Sequence, residues 1–240
     1  PLPRRPSASC SWCPFPLHLP FCAHGIAGVR HNRTPRIRAR DQMGSMDTVI
    51  TRLDAADFRD RLPEALGVYV DAMGYPPQVV RSRAAAWMEH SYRDGWSGVA
   101  AFEAPRRRLL GQTRGQLVAI CYGYHGAPGQ WWYDQVSRGL RDRDRELPPD
   151  YVELTELHVS PGLQGRGIGA TLVRTFLADR PESTVLLSTP EVDGEDNAAW
   201  RLYRSLGFTD VLRSYRFQGD ARPFAVLARS LPLAEIGDRT

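Results

Sequence analysis

The sequence predicts a mixed α/β domain over residues 46–233, and three observations carry that expectation. Runs rich in β-formers alternate with amphipathic runs at helical spacing from Thr48 to Ser230. One strand-like run, Tyr151–Val159, leads through a short loop into a glycine-rich turn that opens a strongly amphipathic helix. That turn comes late in the chain, behind a meander of strands and not at the head of repeated strand–helix–strand units.

Thr48–Leu53 reads as a strand. Asp54 is suited to cap a single helix running to Met73, with Phe58, Leu62, Leu66 and Tyr69 at helical spacing, and Pro76 and Pro77 break it. Val79–Tyr92 reads as a second helix with an Ala-rich centre. Val99–Phe102 and Leu117–Tyr124 read as strands of a hairpin or meander, followed by a turn at Gly126–Gly129. Trp131, Val136 and Leu140 fit one helix face ahead of the charged run Arg141–Glu146, which Pro148 and Pro149 end. Gly167–Leu177 is a helix with Ile168, Leu172, Val173 and Phe176 on its apolar stripe. Thr184–Ser188 is a short buried strand. Asn197–Leu206 is a helix with Gly207 in position to terminate it. Val211–Phe217 and Phe224–Ser230 close the domain as strands, and there are no internal repeats.

Charge separates the chain into two parts. Of the 240 residues, the first 45 hold seven Arg and one acid, a charge of +6; the whole chain is +4, which leaves −2 for residues 46–240. A slightly acidic domain does not point to nucleic acid. No run of 18 apolar residues is present to form a membrane-spanning helix. All basic residues are Arg, which reads as coding bias and not as chemistry. Residues 1–42 are rich in Pro, Arg and Cys and lack periodicity, so residues 1–45 are expected to be a disordered tail or an over-extended start, with Met43 or Met46 as the natural beginning. Cys10, Cys13, Cys22 and His24 lack a second ligand pair at a zinc spacing, and no metal is expected. Cys121 alone belongs to the domain, which fits a reducing, cytoplasmic setting and a core thiol. Residues 234–240 are expected to be a C-terminal tail.

The chemistry is concentrated between Leu157 and Ala170. Successive backbone N–H groups at a helix N-terminus, together with the helix dipole, favour an anion there. Gly165, Gly167 and Gly169 leave the backbone open to phosphate oxygens, and Arg166 can add a charge-assisted contact. The expected ligand therefore carries a pyrophosphate. Gly165-x-Gly167-x-x-Ala170 also satisfies the dinucleotide fingerprint, with Glu191 as the ribose-binding acid. Against that reading, Ser160–Gln164 separate the strand from the first glycine, whereas the dinucleotide fold joins them directly.

The same stretch resembles the GNAT superfamily of N-acetyltransferases more closely. Gln164-x-x-Gly167-x-Gly169 is similar to that family's coenzyme A loop, and Leu157-x-Val159-x-Pro161 to its usual strand ending. Residues Ala199–Phe208, including Trp200, Tyr203 and Gly207, look like its second signature. The resemblance implies a mostly antiparallel sheet of about six to seven strands, splayed at the centre and flanked by about four helices. It implies acetyl-CoA as co-substrate in the opening between Tyr151–Val159 and Thr184–Ser188. The pantetheine would pair with the backbone of Leu157, His158 and Val159. The diphosphate would rest on Gln164, Gly165, Arg166, Gly167, Ile168, Gly169 and Ala170.

By the same resemblance, Tyr203 protonates the departing thiolate; otherwise it reads as packing beside Trp200 and Leu206. Glu153 lies where several members carry a strand base, with Glu156 as its rival. Simple alternation puts these two glutamates on opposite faces, although a bulge, common in this strand of the family, would change parity partway. The family often has a coenzyme-contacting Asn at the start of the second-signature helix; here Asp196 stands at that count and Asn197 one residue on, either of which could instead cap the helix. His158 reads as structural, with its backbone at the pantetheine. Trp131, Trp132 and Tyr133 read as core or loop packing, with stacking on an acceptor as the alternative. The acceptor is expected to be a small-molecule or peptide amine, and the protein a monomer or homodimer. A non-catalytic acyl-CoA-binding protein of the same fold is the alternative.

Overall fold

The computed structural model describes residues 48–103 and 115–233; the Arg-rich segment and residues 234–240 lie outside them. The elements run β1 (Thr48–Leu53), α1 (Ala55–Asp60), α2 (Leu62–Met73), α3 (Val79–His90), β2 (Ser97–Glu103), β3 (Gln116–His125), α4 (Trp131–Arg141) and β4 (Val152–Val159). They continue with α5 (Ile168–Leu177), β5 (Thr184–Pro190), α6 (Ala198–Ser205), β6 (Thr209–Tyr215) and β7 (Phe224–Ser230). One seven-stranded sheet has the order β1-β2-β3-β4-β5-β7-β6. Every pairing is antiparallel except β4 with β5.

Three expectations need correction. The single helix from Asp54 is two helices. Asp54 caps α1, its carboxylate accepting the Asp57 N–H at 2.7 Å, but the chain turns at Arg61. Pro63 sits in the first turn of α2, where a missing N–H costs nothing, so it starts a helix and does not interrupt one. The described residues hold six helices, not about four, and β6 begins two residues earlier than the pattern implied.

Three apolar clusters cover the sheet. On one face α5 and α6 bury Leu172, Val173, Phe176 and Trp200 against β2–β5. A second cluster joins α1–α3 to the alternate residues of β2 and β3, with Phe58 and Trp87 fully buried. The third seats α4 against β5–β7 through Trp132, Val136 and Leu140. Burying each of these large side chains contributes roughly 1.5–3 kcal/mol.

The centre of the sheet is irregular in a way that shapes the site. β4 pairs with β5 only at Val152–Val185 and Glu153–Leu186, and beyond that the two strands part. On the other edge of β4, Tyr122 pairs with Glu156 and Gly123 with Leu154, so Thr155 is an extra, bulged residue. Gly123 is required opposite the bulge: a Cβ there would run into the Glu153 carbonyl oxygen and stand 2.8 Å from Phe176 Cζ. Gly123→Ala is expected to cost about 3 kcal/mol, because neither backbone nor a core phenyl ring can yield. Thermal melting should show this as a fall of roughly 6–12 °C.

Candidate active site

The bulge settles which way the β4 side chains face. Val152 and Leu154 enter the α5 side of the core, and Leu157 and Val159 pack against that same cluster. Glu153, Glu156 and His158 therefore share the opposite face, towards α2 and α3. Alternation without a bulge would have separated the two glutamates.

Each glutamate is held differently. Glu156 Oε1 accepts from Trp87 Nε1 at 3.1 Å, and Glu156 Oε2 lies 2.6 Å from His158 Nε2. Burial works against its charge, but the His158 bond and the nearby Arg83 and His90 outweigh it and hold the carboxyl below its ordinary range. Glu153 is 4% exposed; its Oε1 lies 3.5 Å from the Tyr124 hydroxyl, and its Oε2 is buried without a hydrogen-bond partner among the described residues. Burial pushes this carboxyl up to about 8, with the Glu156 charge adding to the rise and Arg93 opposing it. Arg93 also donates to the Tyr124 hydroxyl at 2.7 Å, which ties the turn after α3 to the Glu153 pocket. Two carboxyls three residues apart thus titrate in opposite directions, a separation typical of groups with distinct proton-transfer roles.

Tyr203 approaches from α6. The end of that helix is locked by a Schellman motif: Phe208 N–H donates to the Tyr203 carbonyl (3.0 Å) and Gly207 N–H to the Arg204 carbonyl (3.0 Å), with Gly207 at φ +78°. The Tyr203 and Phe208 rings pack 5.6 Å apart across it. Burial raises the Tyr203 hydroxyl above its ordinary range, with Cys121 and Glu156 contributing, so it stays protonated at neutral pH. No described residue hydrogen-bonds that hydroxyl.

The glycine turn has the expected form. A short 3-10 turn, Pro161–Leu163, separates it from β4, and Gly165 (φ +74°) and Gly167 (φ +81°) adopt the left-handed conformation. The first bond within α5 is Thr171 N–H to the Gly167 carbonyl, so the amides of Ile168, Gly169 and Ala170 lie ahead of the helical ladder. Gln164, Gly165, Arg166 and Gly167 are exposed. The Gln164 side chain turns back, its Nε2 donating to the Val159 carbonyl at 3.0 Å. The edge of β4 at Leu157–Val159 that faces β5 has no partner strand among the described residues.

Other expected site residues have local duties. Asn197 caps α6, its Oδ1 accepting the Trp200 N–H at 2.9 Å. Asp196 is 83% exposed and paired with Arg201. Glu191 is bonded by Arg213 and by the Ser214 backbone, which accounts for it without a ribose. Trp132 is buried with its Nε1 on Ser188 Oγ, Tyr133 stacks on Tyr151, and Trp131 rests partly exposed against Phe217. Among the described residues, no group of three or more His, Cys, Asp or Glu side chains could hold a metal, and no helix is long and apolar enough to cross a membrane. Sequence reasoning missed the partners supplied by α3 and the turn after it, namely Trp87, His90 and Arg93; the only local signal was a helix of low apolar content carrying polar residues and one Trp.

A sheet parted beside a bulged central strand, with a glycine turn opening the next helix, defines an acyl-coenzyme A transferase architecture. The model of the acetyltransferase (GNAT) family matches residues 76–208, and the chain belongs to that family as an N-acetyltransferase. It is 49% identical over 199 residues to the GCN5-like protein acetyltransferase Rv2170 of Mycobacterium tuberculosis, covering 75% of this chain and 97% of the relative. It is also 43% identical over 142 residues to a mycothiol acetyltransferase of Mycobacterium sp. (strain JLS), a match spanning 56% of this chain and 42% of that one. Among solved structures, a GNAT-family protein from Desulfovibrio desulfuricans superposes with a TM-score of 0.52 at 13% identity, covering 77% of this chain and 99% of that chain, a likeness of fold alone.

Proposed function

We propose that the protein transfers an acetyl group from acetyl-CoA directly to a primary amine, with Glu153 as general base and Tyr203 as general acid. The observation that carries this reading is the parting of β4 from β5 at the Thr155 bulge. There the open strand edge lies beside the bulge that turns both glutamates to one face, and the Tyr203 hydroxyl of α6 feels the charge of Glu156. The pantetheine arm extends along Leu157–Val159. The diphosphate lies on the amides of the turn from Gln164 to Ala170, where the α5 dipole favours negative charge.

The neutral amine attacks the thioester carbonyl carbon. A C–N bond forms, and the oxyanion is met by β4 backbone N–H groups at the bulge. Glu153 takes the proton from the nitrogen, directly or through water. The C–S bond then breaks, and the Tyr203 hydroxyl gives its proton to the leaving thiolate. Both carboxyls are on the α2–α3 face, so the amine enters from that side.

The names of the relatives suggest which acceptors to try first: exposed amines of proteins and peptides, then small aminated molecules. Thiol release from acetyl-CoA, followed across such a panel, tests the reading; at least one amine should accelerate release in a way that depends on Tyr203. Gly167→Ala is expected to weaken acetyl-CoA binding at least 10-fold by calorimetry. A Cβ at φ +81° strains the backbone by about 1 kcal/mol and stands where the phosphates approach.

A further inference from the structure

The bulge at Thr155 brings a second acidic group to the base, and the second group is the better anchored. Trp87 on α3 and His158 on β4 each engage one oxygen of Glu156, at 3.1 and 2.6 Å. The His158 ring is itself fixed, lying 6.1 Å from Trp87 at 17° and edge-on to Tyr69 at 5.0 Å. Such a carboxylate can neither rotate away nor easily take up a proton. Its neighbour on the same face, Glu153, has one oxygen with no partner among the described residues and so has no comparable anchor.

We propose that the Glu156–His158 pair, clamped by Trp87, is a positioning device that plants a permanent negative charge beside Glu153 and makes Glu153 a stronger proton acceptor than its own pocket would. This inference rests on the reading of Glu153 as the base. The groups acting on the two carboxyls are consistent with it. Glu156 is acted on by Arg83 and His90 of α3 and by His158 of its own strand; Tyr69 of α2, Tyr122 of β3 and Tyr203 of α6 feel its charge. Glu153 is faced by Arg93 in the turn after α3, Tyr124 of β3, Tyr151 just before β4 and Thr155 within it. Arg93 acts on Glu153 in the sense opposite to Glu156.

Infrared titration of the buried carboxylic-acid band on the full chain tests this without any acceptor. The wild type should show a band that disappears as pH rises through about 8 and that is missing from Glu153→Gln. In Glu156→Gln the midpoint should fall by about one pH unit, the size expected for removing a neighbouring like charge at intermediate dielectric. In His158→Gln, which leaves both carboxyls in place, Glu156 should begin to hold a proton and add a second band. An unchanged Glu153 midpoint in Glu156→Gln would overturn the proposal. If that variant does not fold, an unchanged spectrum in His158→Gln would overturn it instead. Acetyl transfer that survived Glu153→Gln would remove the base assignment while leaving the electrostatic coupling to be judged by its own titration.

Discussion

Replacing Tyr203 by Phe is expected to lower kcat about 100-fold or more while leaving the affinity for acetyl-CoA within about 2-fold, since a positioned acid typically contributes 10²–10⁴. The substitution isolates the chemistry well. Tyr203 sits in the core with its ring against Phe208, and no described residue bonds its hydroxyl. Losing the oxygen therefore breaks no contact, and a purely packing role would leave turnover and melting temperature unchanged. Thiol-release kinetics with a productive acceptor, read beside calorimetric binding of acetyl-CoA, separate the two.

Glu153→Gln should have the second large effect, and it should act on activity and stability in opposite directions. The wild-type rate should climb with pH through about 8 as the carboxyl ionises, and the variant should lose both that limb and roughly 10²–10³ of kcat/KM. The folded carboxyl sits near 8 against an ordinary 4.5. Between those values the native state holds a proton that the unfolded chain has released, so stability falls as pH rises across the window and is level above it. Gln carries no such proton. The variant should match the wild type near pH 4.5 and exceed it at pH 8.5 by ~2–4 kcal/mol, or roughly 5–10 °C in Tm. A variant that is less active yet more stable, with the gain growing as pH rises, is a signature that loss of packing does not produce.

The parts of the site legible in the sequence are those written in local backbone chemistry. Glycines spaced for a left-handed turn, a strand before them and an amphipathic helix after them can be read within a few residues, and Gly165, Gly167 and the α5 amides take that form. Gly207 likewise announces the lock that holds Tyr203. What stayed hidden depends on partners distant in the chain. The parity of β4 is set by Gly123 on β3, which alone leaves room for the bulge, so Glu153 and Glu156 could not be assigned to one face from their own spacing. The opposite behaviour of their carboxyls comes from the burial of Glu153 and from the His158 bond to Glu156 aided by Arg83 and His90, the last two on α3, far upstream in the chain. Asn197 shows the converse limit: its position at a helix start fits a coenzyme contact and a cap equally, and the structure commits its side-chain oxygen to the cap. The break between α1 and α2 was signalled by Pro63, whose place in a first turn reads as a beginning only once Arg61 is seen to turn.

Calorimetric titration of the full chain with acetyl-CoA, with NAD and the Gly167→Ala variant as comparisons, addresses the central claim most directly. Binding in the micromolar range, absent for NAD and weakened at least 10-fold in the variant, is the expected result. A folded sample that takes up no acetyl-CoA, or that binds it equally well with Ala at position 167, would contradict the placement of the coenzyme on the α5 turn and with it the catalytic roles assigned to Glu153 and Tyr203.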